Sequence, residues 1–137
     1  MIAEFMSKAE SALVSARLLL NAGDSDGATN RAYYAMFDAA SAALAWAGAV
    51  TTQDRHRTHG GLIGNFGLHL VQTGRLDTEF GRSLNRVQEL RLTGDYLAEP
   101  VPLDRARRAV QEADTFVAAV RHLLAAEPSG ADTDRGG

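Results

Sequence analysis

Apolar residues recur along this chain at intervals of three and four, the spacing that places them on one side of an α-helix. The clearest stripe lies between residues 104 and 126 and comprises Ala106, Val110, Ala113, Val117, Val120 and Leu124. The sequence contains no run in which β-branched and polar residues alternate, as they do in a half-buried strand. The pattern therefore predicts an all-α fold.

Capping residues and glycines divide this pattern into five predicted helices. Acidic residues at Asp24, Asp26 and Asp77 suit helix starts, because a carboxylate accepts hydrogen bonds from the free N–H groups there. Glycines suit helix ends. The predicted helices cover about 3–21, 27–46, 59–73, 78–94 and 104–126, and the predicted stops are Gly23, Gly48, Gly74 and Gly94.

Short connections between these helices predict an antiparallel four- to five-helix bundle. We expect residues 1–127 to form this bundle as one domain, because the chain of 137 residues is long enough for one core. Residues 128–137 are small and polar, which predicts a disordered tail.

The third predicted helix is rich in glycine, and each glycine in a helix interior costs about 1 kcal/mol relative to alanine. We expect close packing of the backbone to explain these glycines, and a mobile functional segment is the alternative. The glycine-rich helix and the alanine-rich second helix both offer flat surfaces, which would suit a homodimer. The glycines are Gly60, Gly61, Gly64 and Gly67.

The amino-acid composition excludes several kinds of catalytic and metal-binding site. The absence of cysteine excludes disulfides, thiol catalysis and cysteine-bound metals. The four histidines lack a metal-ligand spacing, so we expect neither a metal nor a cofactor. Without a signal-peptide pattern or an apolar run of membrane length, the sequence predicts a cytoplasmic protein with no membrane contact. Net charge is −3, yet Lys8 is the only lysine among 14 basic residues, and arginine suits phosphate contacts.

A polar row interrupts the alanine-rich second helix. Arg31, Tyr34 and Asp38 share one face at spacings of three and four, whereas Tyr33 and Phe37 belong to a second, apolar face. Charged groups in a buried helix are unfavourable unless they are paired or used. The row therefore predicts either an internal contact of Asp38 with Arg31 or Tyr34, or a site for a ligand.

The segment around this row resembles the second-helix signature of one bacterial and archaeal branch of the HEPN superfamily (higher eukaryotes and prokaryotes nucleotide-binding domain). Three later segments resemble the same branch in the same order, and the resemblance covers about residues 5–124. It implies a HEPN-like helical bundle that often dimerises. The matching segments are Asn30 to Phe37, then Thr58-His59-Gly60 with Phe66, then Thr73-Gly74, and finally Arg91 with Gly94-Asp95-Tyr96.

The resemblance implies a component of a toxin–antitoxin-like module whose partner is a minimal nucleotidyltransferase. It also implies binding of RNA or nucleotide and, as in many relatives, metal-independent cleavage of RNA. Relatives use an arginine followed after four to six residues by a histidine, so Arg31 would steady the phosphate. Six residues separate Arg31 from Asp38, which stands where close relatives often have histidine.

Asp38 is a weak base at neutral pH, because the reference pKa of aspartate is about 4. His59 is therefore the expected acid or base, reaching the row from the third helix or from a second subunit. The candidate catalytic residues are Arg31, His59 and Asp38. The candidate RNA- or nucleotide-binding residues are Tyr34, Arg55, Arg57 and Arg91.

Three further residues are candidates for structural roles or for modification. Arg91 and Asp95 stand four apart, so a simple pair along the helix is one interpretation and a second half of the Arg31 site is the other. A tyrosine at position 33, 34 or 96 could receive a nucleotide from the partner enzyme. The candidates in this group are Tyr33, Asp95 and Tyr96. The alternative function is a catalytically inactive HEPN interaction module that binds its partner or a nucleotide.

Overall fold

The computed structural model describes residues 1–49 and 59–126, and in these ranges it contains five α-helices and no strand. The helices are α1 (Ile2–Asn21), α2 (Ser25–Trp46), α3 (His59–Phe66), α4 (Thr78–Tyr96) and α5 (Leu103–Ala125). One turn of π-helix, Gly67–Val71, continues α3. The predicted all-α helical bundle is confirmed. Among the described residues, no helix combines the length and apolar character needed to cross a membrane.

The alanine-rich helix α2 is the centre of the bundle and packs against α1, α3, α4 and α5. Alanine side chains let neighbouring helix backbones approach closely, and seven of those on α2 are fully buried. The alanine-rich faces of α2 are therefore covered by other helices of the same chain. The expectation that these faces offer a flat surface to a second subunit is wrong. The seven fully buried alanines of α2 are Ala28, Ala32, Ala35, Ala39, Ala40, Ala42 and Ala43.

Two predicted helix caps are present. The Asp24 carboxylate accepts a hydrogen bond from the Gly27 backbone N–H at 2.9 Å, and Asp77 accepts one from the Glu79 N–H at 3.0 Å. Gly23 follows α1 with a φ of 84°, a left-handed conformation that glycine adopts without strain. These contacts explain why the predicted boundaries agree with the structure at these helix ends.

The predicted stop at Gly94 is wrong, because α4 continues to Tyr96. A Cβ atom at Gly94 would lie 2.9 Å from Val101 Cγ2, closer than real Cβ contacts, and 3.1 Å from Asp26 Oδ1, which is tighter than most of them. Glycine at this position therefore allows the segment before α5 to approach α4. The Asp26 Oδ1 atom also accepts a hydrogen bond from the Val101 backbone N–H at 2.8 Å.

We expect Asp26→Ala to lower the free energy of unfolding by about 1–3 kcal/mol, because it leaves the N–H of Val101 without its acceptor. Val101 is 4% exposed, so water replaces that acceptor poorly. Urea denaturation measures the change. Asp104→Ala is the matched control, since Asp104 also lies in the first turn of a helix and is exposed. Equal losses in the two variants would contradict this role for Asp26.

Packing within the described chain does not explain three of the glycines of the third helix. In the described part of the chain, a Cβ atom at Gly60, Gly64 or Gly67 would meet no atom within 4 Å. These glycines instead leave one side of α3 without side chains.

The far end of α3 is fixed by aromatic packing. Phe66 is fully buried, and its ring centroid lies 5.2 Å from that of Phe116 on α5. Phe116 also contacts Phe80 of α4, with the ring centroids 6.1 Å apart. This packing holds α3 in the bundle and so positions His59, the first residue of that helix.

Candidate functional site

His59 lies against an aromatic surface of α2. Its Nδ1 atom is 2.8 Å from the hydroxyl oxygen of Tyr33, and the two rings stack at 24° with centroids 5.6 Å apart. The His59 ring centroid is also 4.7 Å from that of Phe37 and 5.8 Å from that of Tyr34. The start of α3 therefore meets the polar row of α2 through Tyr34.

Arg91 of α4 completes this group. The Cζ atom of its guanidinium lies 4.7 Å from the ring centroid of Tyr33 and 5.7 Å from that of Tyr34, both within cation–π range. The side chain of Arg91 is 12% exposed. We call Tyr33, Tyr34, His59 and Arg91 the His59–Arg91 cluster.

Two neighbours on α4 hold the Arg91 guanidinium. Gln88 Oε1 accepts hydrogen bonds from Arg91 Nε at 3.1 Å and Nη2 at 3.0 Å, and Asp95 Oδ2 accepts one from Nη1 at 3.0 Å. The intrahelical Arg91–Asp95 pair is thus present, and Arg91 also faces the row of α2. Gln88 was not anticipated, although its position three residues before Arg91 is the signal that could have indicated it.

Protonation at the cluster follows from burial. Burial raises the pKa of the Tyr33 phenol, although the nearby Arg91 charge opposes part of that change. Tyr33 therefore keeps its proton, and its hydroxyl shares one hydrogen bond with His59 Nδ1. Burial and the Arg91 charge both lower the pKa of His59. The imidazole is consequently neutral at pH 7, and one of its two nitrogens carries a proton.

The rest of the polar row lines a groove between α1 and α2. The Cζ atom of Arg31 lies 5.3 Å from the Tyr34 ring centroid. Arg31, Tyr34 and Asp38 all border this groove, which encloses about 400 Å³. No ion pair joins Arg31 to Asp38 within the two described ranges, so the expected pairing of these two residues does not form. The shared face predicted from their spacing is present.

Tyr33 and Tyr96, two candidates for modification, differ in exposure. Tyr96 is 82% exposed, whereas Tyr33 is fully buried and offers no surface to a modifying enzyme. Arg55 and Arg57 lie outside the described residues. Among residues 1–49 and 59–126, no group of three or more histidines and carboxylates is arranged to hold a metal ion.

Comparison with known proteins gives matches along most of the chain. The family model for the HEPN domain matches residues 2–123. A UPF0332 protein of Gloeobacter violaceus is 38% identical over 93 residues, which are 68% of this chain and 70% of the relative. A UPF0332 protein of Thermotoga maritima is 33% identical over 119 residues, 85% of this chain and 86% of the relative. The Methanocaldococcus jannaschii protein named "Putative toxin MJ0605" is 31% identical over 116 residues, 85% and 83% of the two chains.

Proposed function

The chain belongs to the HEPN domain family, and on that premise we propose that it is the toxin-like component of a toxin–antitoxin-like module and cleaves RNA without a metal. The match to the relative named "Putative toxin MJ0605" supports the first part of this proposal. One observation carries the second part. The His59–Arg91 cluster combines an imidazole, which can donate from Nε2 when Tyr33 donates to Nδ1, with a guanidinium in which two of five N–H groups have no partner among the described residues.

Such a pair of donors suits the transition state of RNA cleavage by the ribose 2′-hydroxyl. In that reaction the 2′-oxygen bonds to phosphorus, and the bond from phosphorus to the 5′-oxygen breaks. Negative charge develops on the phosphate oxygens, where fixed N–H groups are most effective. His59 Nε2 and Arg91 would donate to these oxygens. The 2′-hydroxyl proton passes to water, and water returns a proton to the 5′-oxygen.

Incubation of purified protein with single-stranded RNA in EDTA tests this function. We expect products that end in a 2′,3′-cyclic phosphate and a 5′-hydroxyl, because the 2′-oxygen is the nucleophile. A matched RNA with one 2′-deoxynucleotide should resist cleavage at that position alone. Cleavage of the deoxy position, or cleavage only after Mg²⁺ is added, would rule out the proposed chemistry.

We further propose that the partner is a nucleotidyltransferase-type protein and that the HEPN chain acts as a homodimer. If that partner transfers a nucleotide to a tyrosine, exposure makes Tyr96 the candidate acceptor. The glycine-bearing side of α3 remains available for a second subunit, because the described chain leaves it uncovered.

The alternative function is a HEPN module that binds RNA, a nucleotide or its partner without cleaving RNA. The Tyr33–His59 hydrogen bond favours it, because that bond already occupies one of the two imidazole nitrogens that could exchange a proton with RNA. Asp38 stands where relatives often have a histidine. Under this alternative the natural chain binds RNA and leaves it intact. The Asp38→His variant should then cleave RNA, and circular dichroism checks that this variant folds.

A further inference from the structure

The groove beside the polar row has a second wall, which comes from α1. Three serines on that helix lie at intervals of four residues, one turn apart, so their side chains follow the same side of the helix. Together with Lys8 they face Arg31, Tyr34 and Asp38 of α2. The serines are Ser7, Ser11 and Ser15. We call this feature the α1 groove.

The chemistry of the α1 groove suits a sugar–phosphate chain. Its lining offers three serine hydroxyls, the phenol of Tyr34 and two cations against one carboxylate, and Ala12 is its one aliphatic side chain. Hydroxyl, ammonium and guanidinium groups make most protein contacts to phosphate and sugar. A groove without a larger aliphatic side chain gives an apolar peptide segment little to bury.

Arg31 is also available to a ligand. Within residues 1–49 and 59–126 its guanidinium forms no ion pair. It lies over the Tyr34 ring in a cation–π contact. The carboxylate of Asp38 lies at the same groove but is 9% exposed, so the accessible charge is dominated by Arg31 and Lys8.

The α1 groove is continuous with the His59–Arg91 cluster through Tyr34. This one side chain lines the groove, and its ring also contacts His59 and Arg91. Arg31 and Arg91 thus lie on the same aromatic ring, at 5.3 and 5.7 Å from its centroid. A strand that places one phosphate at the cluster would extend naturally along the serines of α1.

We propose that the α1 groove is a second nucleotide subsite, which holds the sugar–phosphate of the nucleotide next to the one at His59 in single-stranded RNA. This inference rests on the proposed function, since it assumes that RNA occupies the cluster. It adds a role for α1 and for Ser7, Lys8, Ser11 and Ser15.

Binding of two ligands of different length tests the subsite. A nucleoside 3′-monophosphate should occupy the cluster alone, whereas a six-nucleotide single-stranded RNA should also fill the α1 groove and bind more tightly. Ser11→Glu places a carboxylate against the phosphate chain and should weaken hexanucleotide binding about tenfold or more, because like charges in contact are strongly unfavourable. Ser11→Gln introduces a side chain as large as that glutamate but without its charge, and should weaken hexanucleotide binding less. Mononucleotide binding should be unchanged in both variants.

The salt dependence of hexanucleotide binding gives an independent measurement. Lys8→Gln should lower the slope of log Kd against log salt by about 1, as expected when one phosphate contact is lost. Arg107→Gln, on an exposed part of α5 away from the groove, should leave the slope unchanged. All these positions are on the surface of a helix, and circular dichroism verifies that each variant folds.

The possible results of these binding measurements distinguish failure of the proposed function from failure of the proposed subsite. If the unaltered chain binds neither ligand, the proposed function fails and the subsite fails with it. If the chain binds both ligands but the Ser11 and Lys8 variants behave as the unaltered chain does, the subsite alone is refuted. An equal loss of mononucleotide and hexanucleotide binding in Ser11→Glu would also refute it, because the groove would then be part of the first site.

Discussion

Replacement of Arg91 by alanine should reduce RNA cleavage about 10²–10³-fold, the loss typical of removing one fixed donor from a developing oxyanion. The fold should survive, because the Arg91–Asp95 pair lies along a single helix and such pairs contribute little. Arg91→Lys should recover part of the activity at most. Lysine keeps the charge but cannot reproduce the planar donor arrangement that Gln88 and Asp95 hold.

Initial rates on one labelled RNA measure this effect, with thermal unfolding recorded for each variant. Arg107→Ala is the matched control, since Arg107 is an exposed arginine on α5 and borders neither the cluster nor the α1 groove. Arg91→Ala and Arg107→Ala with the same rate would remove Arg91 from the mechanism. A loss of activity that follows a loss of folding would show a structural role instead.

Phe116→Ala should lower the free energy of unfolding by about 3–5 kcal/mol, the range for deletion of a buried aromatic side chain. Phe116 is fully buried and its ring contacts those of Phe66 and Phe80, so three helices lose a shared contact. Leu70, in the π-helical turn that follows α3, belongs to the same buried core as Phe116.

Chemical denaturation followed by circular dichroism measures this change. Phe116→Leu should cost less, because it leaves a smaller cavity, and Arg121→Ala on the outer side of α5 should change stability little. If Phe116→Ala and Arg121→Ala are equally stable, the aromatic contact does not anchor α3. We also expect Phe116→Ala to weaken the Tyr33–His59 contact, since His59 begins the helix that Phe66 holds in place.

The helices were predictable because each one carries its own local information. The stripe on α5 recurs without interruption, and the caps at Asp24 and Asp77 act within three residues of their own position. The predicted helix end at Gly94 is wrong because the role of this residue is not set by its neighbours in the sequence. Its role depends on Val101 and Asp26, which reach it through packing rather than through the neighbouring sequence.

The site was predictable in part for the same reason. Spacing alone placed Arg31, Tyr34 and Asp38 on one face, and the structure shows them along one groove. Spacing could not show that α1 supplies the opposite wall, because periodicity defines the faces of a helix and not their neighbours. Nor could it show that the hydroxyl of Tyr33 meets Nδ1 of a residue 26 positions later.

The central position of α2 limits how the chemistry of this protein can diversify. Beyond its first turn and before its last two residues, α2 leaves only Asn30, Arg31 and Tyr34 partly accessible, and the other side chains are buried. Substitutions at buried positions disturb the bundle before they alter a ligand contact. Changes in ligand preference among relatives should therefore concentrate at those three positions, at Asp38 beside the groove, and on the surfaces of α1, α3 and α4 that face them, while the other buried positions of α2 vary little.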